Sequence, residues 1–374
     1  MNGGGPCFVN HPPSGGKVRL PLPDPEALAH SRLLCNRIRD RIVSAGGAIP
    51  FSEYMELALY TPELGYYMAG QERLGPGGDF VTAPEMGSLL GRILARFLRQ
   101  YAGLPNGILE IGPGSGRLAQ QVRTGLPGVD YGFLERSPDF QDRQRMLLPD
   151  VPHWQSWPKD WEGVFLAHEL LDAIPARTFL LDAGKGWWER GVRATTEGFE
   201  WTQFPLDPAL AGMLEPHADR WQLPYSGEIR PLATAWLASA AASLKRGAIV
   251  LIDYGYAGQE YYHPQRSMGT LRAYYRHHAL DDPFLWPGLC DLTAHVDFGA
   301  LMQAAPDFGL RPVLFVPMAK FLVENGLAEV YEDQAAGCDP AARMALNNEV
   351  KRLTLPQEMG ESFKILVLEK GEVR

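Results

Sequence analysis

An acidic residue two places ahead of three alternating glycines, Glu110-Ile111-Gly112-Pro113-Gly114-Ser115-Gly116, is the pattern in this chain best placed to do chemistry. The apolar residues Ile108 and Leu109 before it and Arg117-Leu118-Ala119 after it predict a strand, a tight turn and the start of a helix. Glycines allow the turn and let a ligand approach the backbone with no Cβ in the way. The helix that follows would aim its free N–H groups at that ligand. A nucleotide-type cofactor fits such a loop. The dinucleotide fingerprint G-x-G-x-x-G is not met, because Arg117 stands where the third glycine belongs. A pyrophosphate is disfavoured beside Glu110. The competing reading is a glycine-rich turn with no ligand.

Further polar residues fall at the ends of predicted strands. Glu135 closes the segment 130–135, about 20 residues after the loop, where an acidic residue holds ribose hydroxyls in nucleotide sites. That position suits NAD and other nucleosides alike, and a solvated strand-end carboxylate is the plain alternative. His168-Glu169 follows a strand over 163–167, and Asp253 ends one over 247–253. Ligands of open α/β sheets bind beyond the carboxyl ends of the strands, so these positions converge on one edge.

The elements that must carry them read as follows. Helical spacing of Leu28, Leu33, Leu34, Ile38 and Ile42 predicts a helix over 24–46, and Ser52 is placed to cap a second that stops at Thr61-Pro62. A third helix is expected over 85–101. Strands at 107–111, 130–135, 151–154, 163–167 and 247–253, alternating with helices, predict an α/β fold with a mostly parallel sheet. Residues 178–204 alternate like antiparallel strands, 231–245 read as an Ala-rich helix, and 254–292 as a loop-rich aromatic lobe. Helices near 293–305, 318–331 and 340–353 and strands at 311–316 and 363–369 complete the chain. The expected organisation is a flexible tail over 1–23, an N-terminal helical segment with a cofactor-covering loop over 24–104, and a core over 105–374 with insertions at about 176–230 and 254–292.

Composition narrows the function classes. The 374 residues carry a formal net charge of −9. This disfavours a nucleic-acid surface, which is usually basic, and suits a basic partner or cationic substrate. No apolar run approaches a membrane span. Cys7, Cys35, Cys290 and Cys338 are scattered with no C-x-x-C, so neither zinc nor a disulfide framework is expected. Free thiols suit a reducing cytosol, and the first 23 residues lack signal- and transit-peptide features, so a cytoplasmic location is expected. His263, His277, His278 and His295 share the aromatic lobe, but an adjacent pair is poor ligand spacing and no metal site is expected.

The acidic-x-G-x-G-x-G stretch resembles the first motif of class I S-adenosylmethionine (SAM) methyltransferases, whose carboxylate faces the cationic end of SAM. Longer blocks resemble one family, the MidA-like SAM-dependent methyltransferases, over roughly residues 48–369. The blocks are Ile49-Pro50-Phe51-Ser52-Glu53-Tyr54-Met55, Tyr60-Thr61-Pro62-Glu63-Leu64-Gly65-Tyr66-Tyr67 and Gly78-Asp79-Phe80-Val81-Thr82-Ala83-Pro84-Glu85. Ala167-His168-Glu169-Leu170-Leu171-Asp172-Ala173-Ile174-Pro175 is similar to its N-E-x-x-D-A-[LI]-P segment, with His168 where the family usually has Asn. Asp253-Tyr254-Gly255-Tyr256, Thr270–His277 and Thr293–Phe298 match later blocks.

The resemblance implies a class I methyltransferase fold, SAM as methyl donor and a protein arginine as acceptor. Mitochondrial members act in respiratory complex I assembly, which implies a complex I subunit as partner. A cationic guanidinium calls for carboxylates that orient it. Glu169, Asp172 and Asp253 are the catalytic candidates. Glu169 and Asp172 share a face if a helical turn starts there, though helix capping is the competing role. Asp79, Thr82, Glu110, Gly112, Gly114, Gly116, Glu135, Gln155, Trp157 and His168 are the cofactor-binding candidates, with Asp79 and Thr82 expected to close over SAM and Gln155 and Trp157 to meet adenine. A SAM-binding assembly factor and an NAD-linked oxidoreductase remain the alternatives.

Overall fold

Ile249, Val250, Leu251 and Ile252 are all essentially inaccessible to solvent, as a strand covered on both faces must be. They lie in the long strand Leu244–Tyr256, the spine of a sheet in the computed structural model, which describes residues 20–70 and 82–372. The contacts divide the chain into two compact units, one of residues 82–173, 232–261 and 295–372, the other of 20–70, 174–231 and 262–294. Residues 24–104, read from sequence as a single helical segment, are thus shared between the units. Asp79 and the start of the expected tail lie outside the described residues.

In the first unit the sheet order is Arg311–Pro317, Phe363–Lys370, Leu244–Tyr256, Trp161–His168, Ile108–Ile111, Tyr131–Leu134 and His153–Trp154, with Val296–Asp297 also pairing to the long strand. Pairing is parallel from Leu244–Tyr256 out to His153–Trp154, and only Phe363–Lys370 runs against its neighbours. The direction of chain progression reverses between Ile108–Ile111 and Trp161–His168, the kind of switch point where open α/β sheets bind ligands. Helices Leu89–Leu98 and Arg117–Gly125 bury Leu90, Leu94, Ala119 and Val122 against this sheet.

Three helix expectations are corrected here. The helix expected over 85–101 is split into Ala83–Met86 and Leu89–Leu98. The second piece starts where buried Glu349 accepts a 2.7 Å hydrogen bond from the Leu89 N–H, a cap supplied from 260 residues away. The helix over 318–331 is two, Met318–Glu324 and Leu327–Ala335, because Gly326 adopts φ 97° between them. The helix near 293–305 shrinks to Phe298–Ala304, since Asp291–Thr293 and Val296–Asp297 are strands and Asp297 caps the Ala300 N–H.

The second unit is an antiparallel sheet in the order Ala48–Pro50, Trp187–Ala194, Arg177–Leu181 and Tyr225–Ile229, with Phe199–Pro205 beside Trp187–Ala194. Helices Pro25–Ser44 and Phe51–Tyr60 belong to it. Ser52 does not cap the latter: Pro50 occupies the N-cap and Ser52 lies inside the first turn. Residues 262–294 are more regular than their composition suggests, holding a small sheet of His278–Leu280, Arg272–Tyr275 and Asp291–Thr293. Two tyrosines from earlier in this unit bond to that segment. Tyr54 donates to the Pro283 carbonyl, and Tyr67 to Asp291.

Candidate active site

Gly112, Gly114 and Gly116 have φ of 64°, 54° and 81°, a left-handed run that side chains resist. The loop therefore turns out of strand Ile108–Ile111 and delivers Gly116 as the N-cap of helix Arg117–Gly125. Two neighbours hold it. Glu85, its carboxylate nearly buried, accepts from the Ser115 hydroxyl and pairs with Arg117 Nε at 2.9 Å. Gln144, fully buried, donates to the Gly114 carbonyl at 2.6 Å, and its Oε1 accepts from His153 Nε2 at 2.9 Å. It also reaches Glu135 Oε2 at 3.4 Å, so one amide ties the loop to the end of the next strand. Neither Glu85 nor Gln144 was singled out from sequence. Glu85 lay at the end of a motif, and Gln144 reads as an ordinary polar position on helix Pro138–Leu147.

Glu135 follows strand Tyr131–Leu134, and burial raises its pKa against the lowering effect of the Ser137 N–H bond at 2.8 Å. Trp154 pairs with Leu134, so Gln155 follows the adjacent strand at the same edge, and its side chain is exposed. Trp157 is elsewhere: its ring packs 5.3 Å from Phe165 and 5.6 Å from Trp236. That is an aromatic core contact, and the expected adenine contact is not supported by it. Thr82 is the half-buried N-cap of helix Ala83–Met86.

Glu110 is 2% exposed and accepts a 2.8 Å hydrogen bond from the Tyr131 hydroxyl. Burial pushes its pKa up to about 8, opposed by that hydrogen bond and reinforced by the charge of Glu135. A carboxyl whose folded pKa lies above its ordinary 4.5 contributes stability fully present below pH 4.5, which is lost as pH rises through about 8. Glu110→Gln removes this titration. Its melting temperature is expected to gain on the parent's between pH 5 and pH 9, by an amount corresponding to a few kcal/mol in order of magnitude. Scanning calorimetry at three pH values reads it, and an unchanged difference would refute it.

The second cluster lies at the ends of Trp161–His168 and Leu244–Tyr256. Asp253, 1% exposed, accepts from the N–H groups of Leu171 (2.9 Å) and Asp172 (3.2 Å) through Oδ2 and from that of Tyr254 (2.9 Å) through Oδ1. The segment 169–172 is a turn, not the helical start the three-residue spacing suggested. Asp253 organises it. Tyr254 closes the turn by donating to Asp172 Oδ2 at 2.5 Å. Glu169 takes φ 49° and its N–H bonds the Ile252 carbonyl at 2.9 Å. Burial, then the charges of Asp172 and Glu169, raise the pKa of Asp253 against its N–H bonds. Lys364, cross-strand from Asp253, does not relieve this charge, because its ammonium donates to the Glu361 carbonyl. A negative turn of this kind suits a cationic group. It lies beside the glycine loop, since a Cβ on Gly112 would come 2.7 Å from Leu170 Cδ1.

Residues 89–316 match a family model of S-adenosyl-L-methionine-dependent methyltransferases. The chain belongs to this family. It is also similar to a COG1565 superfamily member from Burkholderia thailandensis solved with S-adenosyl-homocysteine (SAH), at 37% identity and TM-score 0.88, covering 94% of this chain and 95% of that one. Among curated relatives, the Drosophila melanogaster mitochondrial protein arginine methyltransferase NDUFAF7 homolog is 29% identical over 95% of this chain and 90% of its own length. The human mitochondrial protein arginine methyltransferase NDUFAF7 is 26% identical over 87% of this chain and 81% of its own.

The protein is thus a SAM-dependent methyltransferase with the class I α/β fold, and its cofactor is SAM. The described residues fit that cofactor: a loop of left-handed glycines, a helix N-terminus and a carboxylate on the next strand stand at the switch point. The expected cytoplasmic location is corrected by the same comparison, because the curated relatives are mitochondrial by name. No described helix is long and apolar enough to cross a membrane.

Proposed function

We propose that this methyltransferase modifies an arginine side chain of a protein partner, with a subunit of respiratory complex I as the first candidate. The observation that carries the reading is the turn at 169–172, pinned by Asp253 beside the glycine loop. Carboxylates on such a turn orient a guanidinium by charge-assisted hydrogen bonds, a geometry arginine matches better than lysine does. The arginine methyltransferase names of the curated relatives support it.

In this reading Gly112, Gly114 and Gly116 receive the methionine part of SAM, and Glu110 lies behind them toward its cationic end. Glu135 holds the ribose hydroxyls, Gln155 lies at the adenine side, and Thr82 borders the site from the segment before it. Bound SAM supplies an electrophilic methyl carbon on a sulfonium. The protein's task is to hold the acceptor nitrogen in line with it, and positioning of that kind is worth several kcal/mol. Glu169 and Asp172 hold the acceptor. Asp253 and Tyr254 act through them and are positioning residues.

Incubation with methyl-labelled SAM and arginine-containing proteins, including complex I subunits, tests this. Label on arginine is expected, with at least a tenfold loss in Glu169→Gln and SAH affinity retained. Label on another residue type, or SAH binding with no transfer to any arginine protein, would overturn the acceptor assignment. Separately, Glu85→Ala is expected to weaken SAH binding about tenfold by releasing Ser115 and Arg117, with Glu85→Gln in between. Calorimetric titration reads both variants, and parental affinity in Glu85→Ala would remove the clasp from the cofactor site.

A further inference from the structure

His168 Nε2 is buried and has no hydrogen-bond partner, although it lies only 3.4 Å from Glu169 Oε1. Its residue is 9% exposed, and its ring lies nearly parallel to Phe363 at 6.4 Å. Buried polar nitrogens are almost always bonded, so a bare one at the end of strand Trp161–His168, next to Glu169, calls for a partner. Burial lowers the pKa of the imidazole to about 3, so the ring is neutral at physiological pH and carries one donor and one acceptor. Were the proton on Nε2, a carboxylate 3.4 Å away would draw it into a hydrogen bond. The missing bond fits Nε2 as an acceptor, lying 3.4 Å from the carboxylate oxygen of Glu169. Glu169 is held there by its left-handed backbone, a costly conformation for a non-glycine residue that persists where function uses it.

We infer that His168 Nε2 and Glu169 Oε1 form a two-acceptor clamp for neighbouring N–H groups of the methyl-accepting guanidinium. This rests on the arginine reading above and adds the group that selects for it. A guanidinium offers several N–H donors in a rigid plane and no acceptor, which matches an anionic and a neutral acceptor side by side. The neutral imidazole adds a directed hydrogen bond without a competing positive charge. Asn or Gln at this position would supply a carbonyl acceptor of similar reach. A lysine ammonium, a compact donor with no fixed fork, would gain less from the pair.

Steady-state kinetics with an arginine peptide, together with SAH titration, test the clamp in the full chain. His168→Leu is expected to raise KM for the peptide by about 10- to 100-fold, with SAH affinity within threefold of the parent as the control. His168→Asn or His168→Gln should recover most of the loss. Weaker SAH binding with unchanged peptide KM would make His168 a cofactor contact and overturn the clamp, as would parental kinetics in His168→Leu. A second readout does not depend on the acceptor. In nitrogen-15 NMR of histidine-labelled protein, Nε2 of His168 is expected to be unprotonated from pH 5 to 8. A protonated Nε2, or titration within that range, would overturn the clamp. If the parent protein binds SAH yet modifies no arginine peptide, the arginine reading fails while the NMR result still stands or falls by itself.

Discussion

Asp253→Asn is expected to lower turnover by about 100-fold or more while SAH affinity stays within about threefold of the parent. The reason is in how Asp253 is used. Its two oxygens accept three backbone N–H groups, two of them from the turn that carries Glu169 and Asp172. Asparagine keeps one acceptor oxygen and replaces the other with an NH2 group. Whichever way the amide is turned, a donor faces a donor in a site with almost no access to water, and an unsatisfied buried N–H costs about 1–3 kcal/mol. This holds whether Asp253 is ionised or protonated, because both oxygens are already accepting. If the amide nitrogen faces Leu171 and Asp172, the turn must open. The hydroxyl of Tyr254 then loses its 2.5 Å contact with Asp172, and Glu169 loses its fixed direction. Small displacements of acceptor-holding groups are amplified in rate because methyl transfer needs an aligned attack. Single-turnover kinetics at saturating SAM, with SAH titration in parallel, read the split. An unchanged rate would remove the turn from the acceptor site, and an equal loss of SAH affinity would place Asp253 with the cofactor instead.

Tyr254→Phe provides a graded version of that experiment. It removes one hydroxyl from Asp172 and leaves the Asp253 bonds in place, so a smaller effect on turnover belongs with it.

The sheet was legible because its strands are nearly unbroken apolar runs closed by polar residues, as in Ala248-Ile249-Val250-Leu251-Ile252-Asp253. Glu110, Glu135, His168 and Asp253 could be assigned to strand ends on that ground alone. What such patterns cannot give is the direction in which a side chain spends its hydrogen bonds. Asp253 reads from sequence as an acceptor-binding carboxylate, and in the structure its oxygens are taken by backbone N–H groups 81 and 82 residues earlier in the chain. Glu85 and Gln144 act on the glycine loop from 30 residues away on either side, and no local spacing marks them. The helix errors have the same origin. Glu349 caps a helix 260 residues distant, and Gly326 breaks an otherwise continuous amphipathic pattern by one left-handed residue. Trp157 was placed by its distance after a strand, whereas the surface it fills is created by Phe165 and by Trp236 on a later helix.

Gly112→Val is expected to reduce SAH affinity by at least about 100-fold, and Gly112→Ala by about tenfold, in protein that remains folded. Two costs combine at this position. With φ at 64°, any Cβ is strained, and a β-branched residue is a true outlier there. The added Cβ would also stand 2.7 Å from Leu170 Cδ1, so Leu170 must move. Leu170 is not free to swing at no cost, because the next two residues are pinned by Asp253 through their N–H groups. Valine therefore pushes on the loop and the acceptor turn together. Alanine strains the backbone and displaces Leu170 by less. The ordering parent, alanine, valine follows from that difference, and it distinguishes loop geometry from general loss of stability. A melting temperature that falls equally in both variants while SAH affinity falls further with valine than with alanine fits the steric account. Parental SAH affinity in folded Gly112→Val would not: it would mean that the cofactor's methionine part does not approach this loop, and the site would have to be sought elsewhere along the strand ends.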